Sequence, residues 1–539
     1  MLFLIVILVS PMACELAMRF STKPLDQDLY LCEESVLYND SHLDIKNVIR
    51  EVVSRIDKEK LYRPLYIINP YDKSIFPLDM ASPEIAWKDE FPGSKMWLIL
   101  IRFEDNDKSV YALTDQKTWL PDRPVWNIIK ANSIEKKAFI TIVGVNTENA
   151  FEISTKGSLS ISTSRDRVGA SVFYQHIPLP FAYAQKHPEL SRWLLGDISS
   201  YGKPHVVMEK LPICGNCHSF SRDARLLGMD MDYKKDKGAY VLTPLKKRIL
   251  LTEDDFISWN DFRSEDEAKS MGLFSKISPD GNYVISTVKE KSFFAMIDDL
   301  DFSQFFFPIR GFIVYYSRRE TTFSPLPGAD DPNYVQTCPT WSPDGKCIVF
   351  SRAEVDKRLI DIIGDKRVLE IGPDTRIDDL NAKYQIRFDL YRVPFNRGQG
   401  GTPEPIIGAN NNGKSNYFPR YSPDGKWIVF TQSDTGLAIQ PESKLVIIPA
   451  KGGVARKMKC NRDIMNSWHS WSPNSRWLIF TSKINTPFTE LFLTHVDERG
   501  NDSPPILLSR FNSRGYASIV PEFVALERDE FQEMRLAGF

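Results

Sequence analysis

The sequence predicts an all-β protein in which a small β-sandwich precedes a β-propeller. Three observations lead to this prediction: a turn motif that recurs through the second half, short alternating strands in the first half, and a single long helical pattern. With 539 residues, 42% of them hydrophobic, the chain is long enough for at least two domains. Its 68 basic and 70 acidic residues nearly cancel, so nothing in the composition indicates nucleic-acid binding.

The recurring motif is Ser-Pro-Asp-Gly followed by a β-branched strand. Clear copies start at Ser278, Ser342 and Ser422, and a variant copy starts at Ser472, so the serines are 64, 80 and 50 residues apart. Proline presets the first turn position, and Asp and Gly supply the next turn conformations. Such periods, with four strands per unit, are typical of a β-propeller. The tract Ser221–Arg225 is a degenerate copy of the same hairpin.

Directly before this degenerate copy stands Cys214-Gly215-Asn216-Cys217-His218. This C-x-x-C-H arrangement attaches haem covalently, with Cys214 and Cys217 as thioethers and His218 as the proximal iron ligand. A redox dithiol and half of a zinc site are the alternatives. No second Cys or His pair follows at short spacing, and the tract from Phe220 onward has a strand pattern rather than a βαβ context. One haem c, placed where the first blade begins, is therefore the predicted cofactor.

The sixth iron ligand has several candidates. Met229 and Met231 are attractive because methionine often pairs with histidine in electron-transfer haem sites. However, a hairpin centred near Asp223 places the tract around Gly228 beside His218 rather than across the haem, which favours a core role for both methionines. The tract upstream offers four further candidates, of which His187 is favoured: His176, His187, His205 and Met208. His469, between two tryptophans, is expected to pack within its hairpin.

The N-terminus indicates export. Leu2–Val9 is an unbroken apolar run, too short to span a bilayer but of the length of a signal-peptide core. Ala13-Cys14 is similar to the end of a bacterial lipobox, which makes Cys14 a candidate lipidation site. An ordinary secretory leader and a misassigned start codon are the alternatives. No later run has about 18 consecutive apolar residues, so we expect no transmembrane span in the mature chain and, at most, a lipid anchor.

The remaining organisation follows from local patterns. Residues 1–14 are the leader, and residues 15–62 form an N-terminal segment whose Leu43–Lys60 tract has the spacing of an amphipathic helix. Short strands over residues 63–165 suit an immunoglobulin-like or fibronectin III-like sandwich. Residues 166–204 are predicted to be a linker tract packed on the propeller, which covers residues 205–535.

The tract Leu211–Asp232 and the Ser-Pro-Asp-Gly hairpins resemble bacterial TolB-like propeller proteins that carry C-x-x-C-H in the first blade. Thr163–Leu195 and Phe305–Pro308 also resemble this group, and the similarity spans roughly residues 60 to 530. The resemblance implies six blades, a covalent haem and a location in the periplasm or at the outer membrane. It supplies no substrate, because one propeller fold serves many functions.

The predicted function is therefore an exported c-type haem propeller that transfers electrons or senses a redox state while the propeller binds an unidentified protein partner. A non-catalytic TolB-like interaction scaffold is one alternative. A haem-dependent periplasmic enzyme is the other, although the sequence has no nucleophile elbow, P-loop or recognisable pair of catalytic carboxylates.

Overall fold

The structure, a computed structural model, describes residues 29–32, 45–56, 60–146, 152–266, 269–296, 300, 304–372, 376–436, 440–526 and 529–538. The chain divides into two units, one of residues 1–167 with 503–507 and one of residues 168–502 with 508–539. The predicted leader and its lipidation candidate Cys14 lie outside the described residues. Within those ranges, no helix is both long and apolar enough to cross a membrane.

The first unit combines a mixed sheet, a small sheet and two helices. Up to residue 164 its elements are β1 (Leu29–Cys32), α1 (Ile45–Ser54), β2 (Arg63–Pro64), β3 (Tyr66–Asn69), β4 (Ser74–Pro77), β5 (Ile85–Lys88), β6 (Met96–Phe103), β7 (Asn106–Thr114), β8 (Thr118–Trp119), α2 (Arg123–Asn132), β9 (Lys137–Asn146) and β10 (Glu152–Ser164). The larger sheet has the order β1-β7-β6-β9-β10-β2, with β4 also beside β10, and the smaller one the order β3-β5-β8.

Helix α1 is the amphipathic helix that the sequence predicts. Its buried residues Val48, Ile49 and Val52 share one hydrophobic cluster with Leu98 and Val143 of the larger sheet. The strands over residues 63–165 agree with the predicted all-β class. Strands β1, β2 and β4 nevertheless pair in parallel with their neighbours, whereas immunoglobulin-like sheets are antiparallel. The immunoglobulin-like topology therefore stays a prediction.

The rest of the chain is built mainly from short strands. Its elements are β11 (Ser171–Pro178), α3 (Phe181–Lys186), β12 (Arg192–Gly196), β13 (His205–Glu209), β14 (Gly215–Phe220), β15 (Leu226–Met231), β16 (Ala239–Pro244), β17 (Arg248–Leu251), β18 (Phe256–Ser258), β19 (Leu273–Ile277), β20 (Tyr283–Met296), β21 (Gln304–Ser317), β22 (Thr322–Pro325), β23 (Tyr334–Trp341), β24 (Cys347–Glu354), α4 (Lys357–Ile363), β25 (Val368–Ile371), α5 (Ile377–Lys383), β26 (Asp389–Pro394), β27 (Glu404–Pro405), β28 (Ser415–Tyr421), β29 (Trp427–Ser433), β30 (Lys444–Pro449), β31 (Arg456–Lys457), β32 (Asn466–Trp471), β33 (Trp477–Ser482), β34 (Glu490–His495), β35 (Ile506–Leu507), β36 (Tyr516–Val524) and β37 (Glu533–Leu536).

Most described strands of the second unit belong to antiparallel sets, whereas β25 pairs in parallel with β20 and β17 pairs in parallel with β37. The antiparallel sets are β36-β11-β12-β13, β14-β15-β16-β18, β19-β20-β21-β22, β23-β24-β26-β27, β28-β29-β30-β31 and β32-β33-β34. The first strand of each set, taken in the order β36, β14, β19, β23, β28 and β32, contacts the next, and β32 contacts β36 again. We call these six the inner strands. Their circular order of contacts agrees with the predicted β-propeller class, and the number of six blades stays a prediction.

Two tracts that are far apart in sequence meet in one sheet. Strand β36 pairs with β11, so the sheet begun by β11–β13 is completed by residues 516–524. The tract that the sequence predicts as a linker, residues 166–204, therefore contributes two strands to the propeller unit. Pairing of β36 gives that sheet its inner strand, which closes the ring.

The Ser-Pro-Asp-Gly turns are stabilised by their own side chains. In one turn Ser342 Oγ donates to the Asp344 carboxylate at 2.6 Å and accepts from the backbone N–H of Cys347 at 2.9 Å. Ser221 makes the same pair of hydrogen bonds, with Asp223 at 2.6 Å and with the N–H of Leu226 at 3.0 Å. Local side-chain bonds of this kind favour turns. The degenerate copy therefore forms the same hairpin as the clear copies.

Candidate functional site: an axial funnel

Each inner strand has a β-bulge at a corresponding place. In five of them the bulge starts at a residue with left-handed φ, between 40° at Trp468 and 59° at Phe274. The five bulges are Phe274-Ser275, Cys338-Pro339, Phe418-Pro419, Trp468-His469 and Val520-Pro521. In β14 the pairing with β15 shifts across Asn216-Cys217. Bulges redirect side chains, and here each one places a residue at the centre of the ring.

The residues at and after the bulges line two connected cavities. The first, the axial cavity, has a volume of about 40 Å³ and is lined by Cys217, Phe274, Cys338, Phe418, Trp468 and Val520 together with residues that follow them. The second, the axial funnel, has a volume of about 320 Å³ and is lined by residues of all six inner strands and by their turns. The funnel lining includes a layer that we call the charged ring, of which Lys276, Thr340 and Arg420 also line the axial cavity: Ser219, Lys276, Thr340, Arg420, Ser470 and Glu522.

Three charges dominate this ring. Arg420 Nη2 lies 3.1 Å from Glu522 Oε2, and Lys276 Nζ lies 3.4 Å from the same oxygen. The side chains of Arg420, Lys276 and Glu522 are 20%, 12% and 16% exposed, respectively, so these three charges are mostly withdrawn from water. Lys276 Nζ also donates to the backbone oxygen of His218 at 3.0 Å. The ring thus links β14, β19, β28 and β36 through one buried ionic cluster.

The ionisation of the cluster follows from this geometry. Burial alone would raise the pKa of Glu522, but the charges of Arg420 and Lys276 outweigh burial and lower that pKa to about 2. Burial and the Arg420 charge lower the pKa of Lys276, and Glu522 opposes them. The neighbouring carboxyl of Asp230 receives a hydrogen bond from Ser275 Oγ at 3.1 Å, while burial raises its pKa well above the ordinary value. Glu522 is thus the carboxylate that pairs with the two cations.

An aromatic layer covers the ring on the funnel side. Trp341 Nε1 donates to the backbone oxygen of Lys276 at 3.1 Å, and Trp471 Nε1 donates to that of Arg420 at 3.3 Å. Each indole therefore holds the backbone of the charged residue on the preceding inner strand in place. Tyr421 contributes a third aromatic side chain to the funnel lining. The cations are held by a fixed backbone, which favours a preorganised binding site.

The structure places the C-x-x-C-H residues beside this funnel, on different faces of one strand. Cys217 faces the axial cavity. His218 is fully buried on the other face, with its ring centroid 4.6 Å from that of Phe173 in edge-on contact. Burial raises the pKa of Cys217 to about 12 and lowers the pKa of His218 to about 3. A thiol with so high a pKa is not a thiolate at neutral pH, which argues against the redox-dithiol interpretation.

The placement does not fit a covalent haem. A haem c needs both thioethers and the imidazole at one porphyrin, whereas Cys217 and His218 point to opposite faces of β14. The axial cavity of about 40 Å³ is far below the roughly 300–1,000 Å³ of cofactor pockets. One feature agrees with ligation: neither ring nitrogen of His218 makes a hydrogen bond of normal geometry, although the ring approaches the backbone of Phe173.

A metal site has no further support in the described ranges. There, no three His, Cys, Asp or Glu side chains lie close enough together to hold a metal ion. The zinc alternative for Cys214 and Cys217 thus gains no additional ligands from the fold.

The candidates for a sixth iron ligand are dispersed. Met229 lies directly opposite His218 in the ladder and Met231 lies opposite Gly215, and both methionines are buried in a hydrophobic cluster. His187 follows α3, is half-exposed, and its Nδ1 lies 3.2 Å from Glu189 Oε1. The other three are accounted for by ordinary contacts: Nε2 of His176 to the Phe511 oxygen, Nε2 of His205 to the Phe531 oxygen, and Met208 in the hydrophobic cluster.

The charged ring was not among the predicted site residues. A signal for it exists, because Lys276, Thr340, Arg420 and Ser470 each stand two residues before the serine of a turn motif. At this position of the repeat, two of the four copies carry a cation, Lys276 and Arg420. Glu522 has no turn motif after it, so only the folded chain identifies it as their partner.

Comparisons with known proteins leave the family open. No family model matches the chain, and no curated protein matches it. Among solved structures, a putative TolB from Agrobacterium tumefaciens is 14% identical and covers 66% of this chain and 98% of its own, with a TM-score of 0.32. An oligogalacturonate lyase from Vibrio parahaemolyticus is 10% identical, with coverage of 58% and 85% and a TM-score of 0.32. Hydrazine synthase from Kuenenia stuttgartiensis is 13% identical, with coverage of 56% and 70% and a TM-score of 0.30. At these scores the likenesses carry no argument about function.

Proposed function

We propose that this protein is a non-catalytic binding propeller whose ligand enters the axial funnel and contacts the charged ring. The observation that carries this proposal is the convergence of all six inner strands on one cavity of about 320 Å³. That volume lies at the lower end of the range for ligand pockets. Aromatic walls with a few polar groups at the base are the usual composition of such pockets. This is the scaffold alternative, with a defined place for the ligand.

The titratable groups around the funnel support binding rather than proton transfer. A general acid or base works best with a pKa near the working pH. Burial lowers the pKa values of His218 and His469 to about 3, and burial raises those of Cys217 and Cys338 to about 12. Arg420, Lys276 and Glu522 are engaged with one another. These groups are suited to holding a ligand by charge and hydrogen bonds.

The proposal is tested by obstructing the funnel. Thr340→Trp and, separately, Ser470→Phe each place a large side chain in the charged ring, and Ser513→Trp adds an indole at an exposed site as the matched control. A panel of small anionic, neutral and cationic solutes is added to the full chain, and the shift in Tm is measured. We expect some solutes to raise the Tm of the wild type and of Ser513→Trp but not that of a folded funnel variant. Equal shifts in all variants, or no shift with any solute, would contradict the proposal.

A covalent haem with electron transfer in the bacterial envelope is the second candidate function. The C-x-x-C-H run and the two unpartnered ring nitrogens of His218 favour it, and the placement of Cys217 opposes it. Haem-dependent catalysis belongs to the same candidate. The periplasmic or outer-membrane location and lipidation at Cys14 also remain proposals, since they rest on the N-terminal sequence.

The intact mass of exported protein tests this second candidate. Attached porphyrin adds mass that survives denaturation, and a removed leader or an added acyl chain changes the mass in a different way. If haem is attached, Cys214→Ser/Cys217→Ser removes the added mass and the haem c absorption bands. A wild-type mass equal to that of the amino acids alone excludes covalent haem in the protein as purified.

A further inference from the structure

We infer that the charged ring binds a carboxylate, the end group of a small or chain-terminal ligand that reaches the base of the funnel. This inference rests on the proposed function and specifies its ligand class. It concerns three side chains, Lys276, Arg420 and Glu522, and the space above them.

The first argument is the charge balance. Two cations face one carboxylate in a cluster whose side chains are at most 20% exposed. A buried charge without a partner is costly, so a cluster with an excess cation favours a second anion. The ring positions between the charges, Ser219, Thr340 and Ser470, carry hydroxyls that add no charge.

The second argument is that the surrounding groups do not supply the missing negative charge. The titratable side chains packed around the ring are Cys217 and His218 of β14, Asp230 of β15, Tyr240 of β16, Cys338 of β23 and His469 of β32. Burial favours the uncharged form of each one, since it raises the pKa values of the thiols, of Tyr240 and of Asp230 and lowers those of the imidazoles. Burial also lowers the pKa of Lys276, and Glu522 opposes this shift, so a second carboxylate at the base of the funnel would favour the charged form of Lys276 in the same way.

The third argument is geometry. Arg420 approaches both oxygens of Glu522, with Nη1–Oε1 at 3.5 Å and Nη2–Oε2 at 3.1 Å. The guanidinium and the Lys276 ammonium hold more N–H donors than one carboxylate and the His218 oxygen use. A planar guanidinium next to an ammonium suits a carboxylate, which accepts bidentate hydrogen bonds. Glu522 shows that a carboxylate fits between these two cations.

Acetate and acetamide provide the matched probes, because they have nearly the same shape and differ in charge. Calorimetric titration of the full chain at constant ionic strength should detect acetate and not acetamide. Arg420→Met should weaken acetate binding at least about tenfold, and Arg420→Lys, which keeps the charge but not the planar fork, should weaken it less.

Glu522→Gln gives the sharpest result. Removal of the competing carboxylate frees both cations, so acetate should bind at least about tenfold more tightly than to the wild type. An ion pair with a purely structural role predicts no such gain. If Glu522→Gln fails to fold, the two Arg420 variants decide the inference. Binding of acetamide or methylammonium that Thr340→Trp abolishes would overturn the carboxylate inference and leave the proposed function standing. Failure of every solute to bind would overturn both.

Discussion

The C-x-x-C-H run and the charged ring lie next to each other on the inner strands, yet they differ in how they are built. The run has the clearest chemical signature in the sequence, but Cys217 lines the axial cavity while His218 packs against Phe173 and makes no hydrogen bond of normal geometry. The ring has no recognisable motif, but both of its cations lie within 3.4 Å of the Glu522 carboxylate. A motif defines chemistry only where the fold brings its residues together.

The strand β32 makes the contrast clearer, because it repeats the pattern of β14 without the cysteines. Trp468, His469 and Ser470 follow one another as Cys217, His218 and Ser219 do. His469 Nε2 bonds to the Val429 oxygen of the neighbouring sheet at 3.0 Å, as the sequence analysis expects of a histidine packed in its hairpin. His218 approaches the backbone of Phe173 in a corresponding way. The position of His218 is therefore one that this fold also fills with a structural histidine.

The largest expected effect is on the charged ring. Glu522→Gln leaves two cations without their carboxylate, and removing one partner of a buried ion pair typically costs about 3–5 kcal/mol. We expect a loss of that size in the free energy of unfolding, measured with denaturant. Glu404→Gln is the control, since its ion pair with Arg392 is largely exposed and such pairs contribute about 0–1 kcal/mol. Equal effects of the two substitutions would show that the ring is not a buried ionic cluster.

The next largest effect is a loss of stability that differs between His469 and His218. His469→Phe removes the donor to the Val429 oxygen and should cost about 1–3 kcal/mol. His218→Phe removes no normal hydrogen bond and should cost less than about 1 kcal/mol. Chemical denaturation of both variants measures the difference. If His218 binds iron in the exported protein, its substitution should instead have the larger effect and change the absorption spectrum.

The pH dependence of stability also tests the assignments of His218 and His469. Both histidines have folded pKa values of about 3 against an ordinary value of 6.5, so the unfolded chain binds more protons between these limits. Stability should therefore fall as the pH falls from 6.5 towards 3, by up to about 1.4 kcal/mol per pH unit for each histidine. Unfolding at pH 7 and pH 5 should show a smaller loss for His218→Phe and for His469→Phe than for the wild type. An unchanged loss would mean that these imidazoles are accessible to protons in the folded chain.

Glu290 acts in the opposite direction. Burial raises its pKa to about 7 from 4.5, so the folded chain keeps a proton that the unfolded chain releases as the pH rises through this interval. Its contribution to stability therefore falls between pH 4.5 and 7. Glu290→Gln should stabilise the protein by up to about 3 kcal/mol at pH 8 and not at pH 4. A variant that is equally stable relative to the wild type at both values would refute this assignment.

The hairpins were predictable from the sequence, because Ser342, Asp344 and Gly345 determine a turn through bonds within a few residues. The joining of β11 with β36 was not, since it unites tracts more than 300 residues apart. The funnel site could not be predicted from the sequence either. Arg420 and Glu522 belong to different sheets, and their proximity depends on the closure of the ring. The faces of Cys217 and His218 depend on the bulge in β14, which no local pattern revealed.

We propose that the charged ring, rather than the C-x-x-C-H run, is the functional centre of this protein. The most direct test compares the acetate affinity of Arg420→Met with that of Cys214→Ser/Cys217→Ser, measured by calorimetry on the full chain. We predict that the arginine variant loses at least about tenfold in affinity while the cysteine variant keeps that of the wild type. Loss of binding in the cysteine variant, with wild-type affinity in Arg420→Met, would contradict the account.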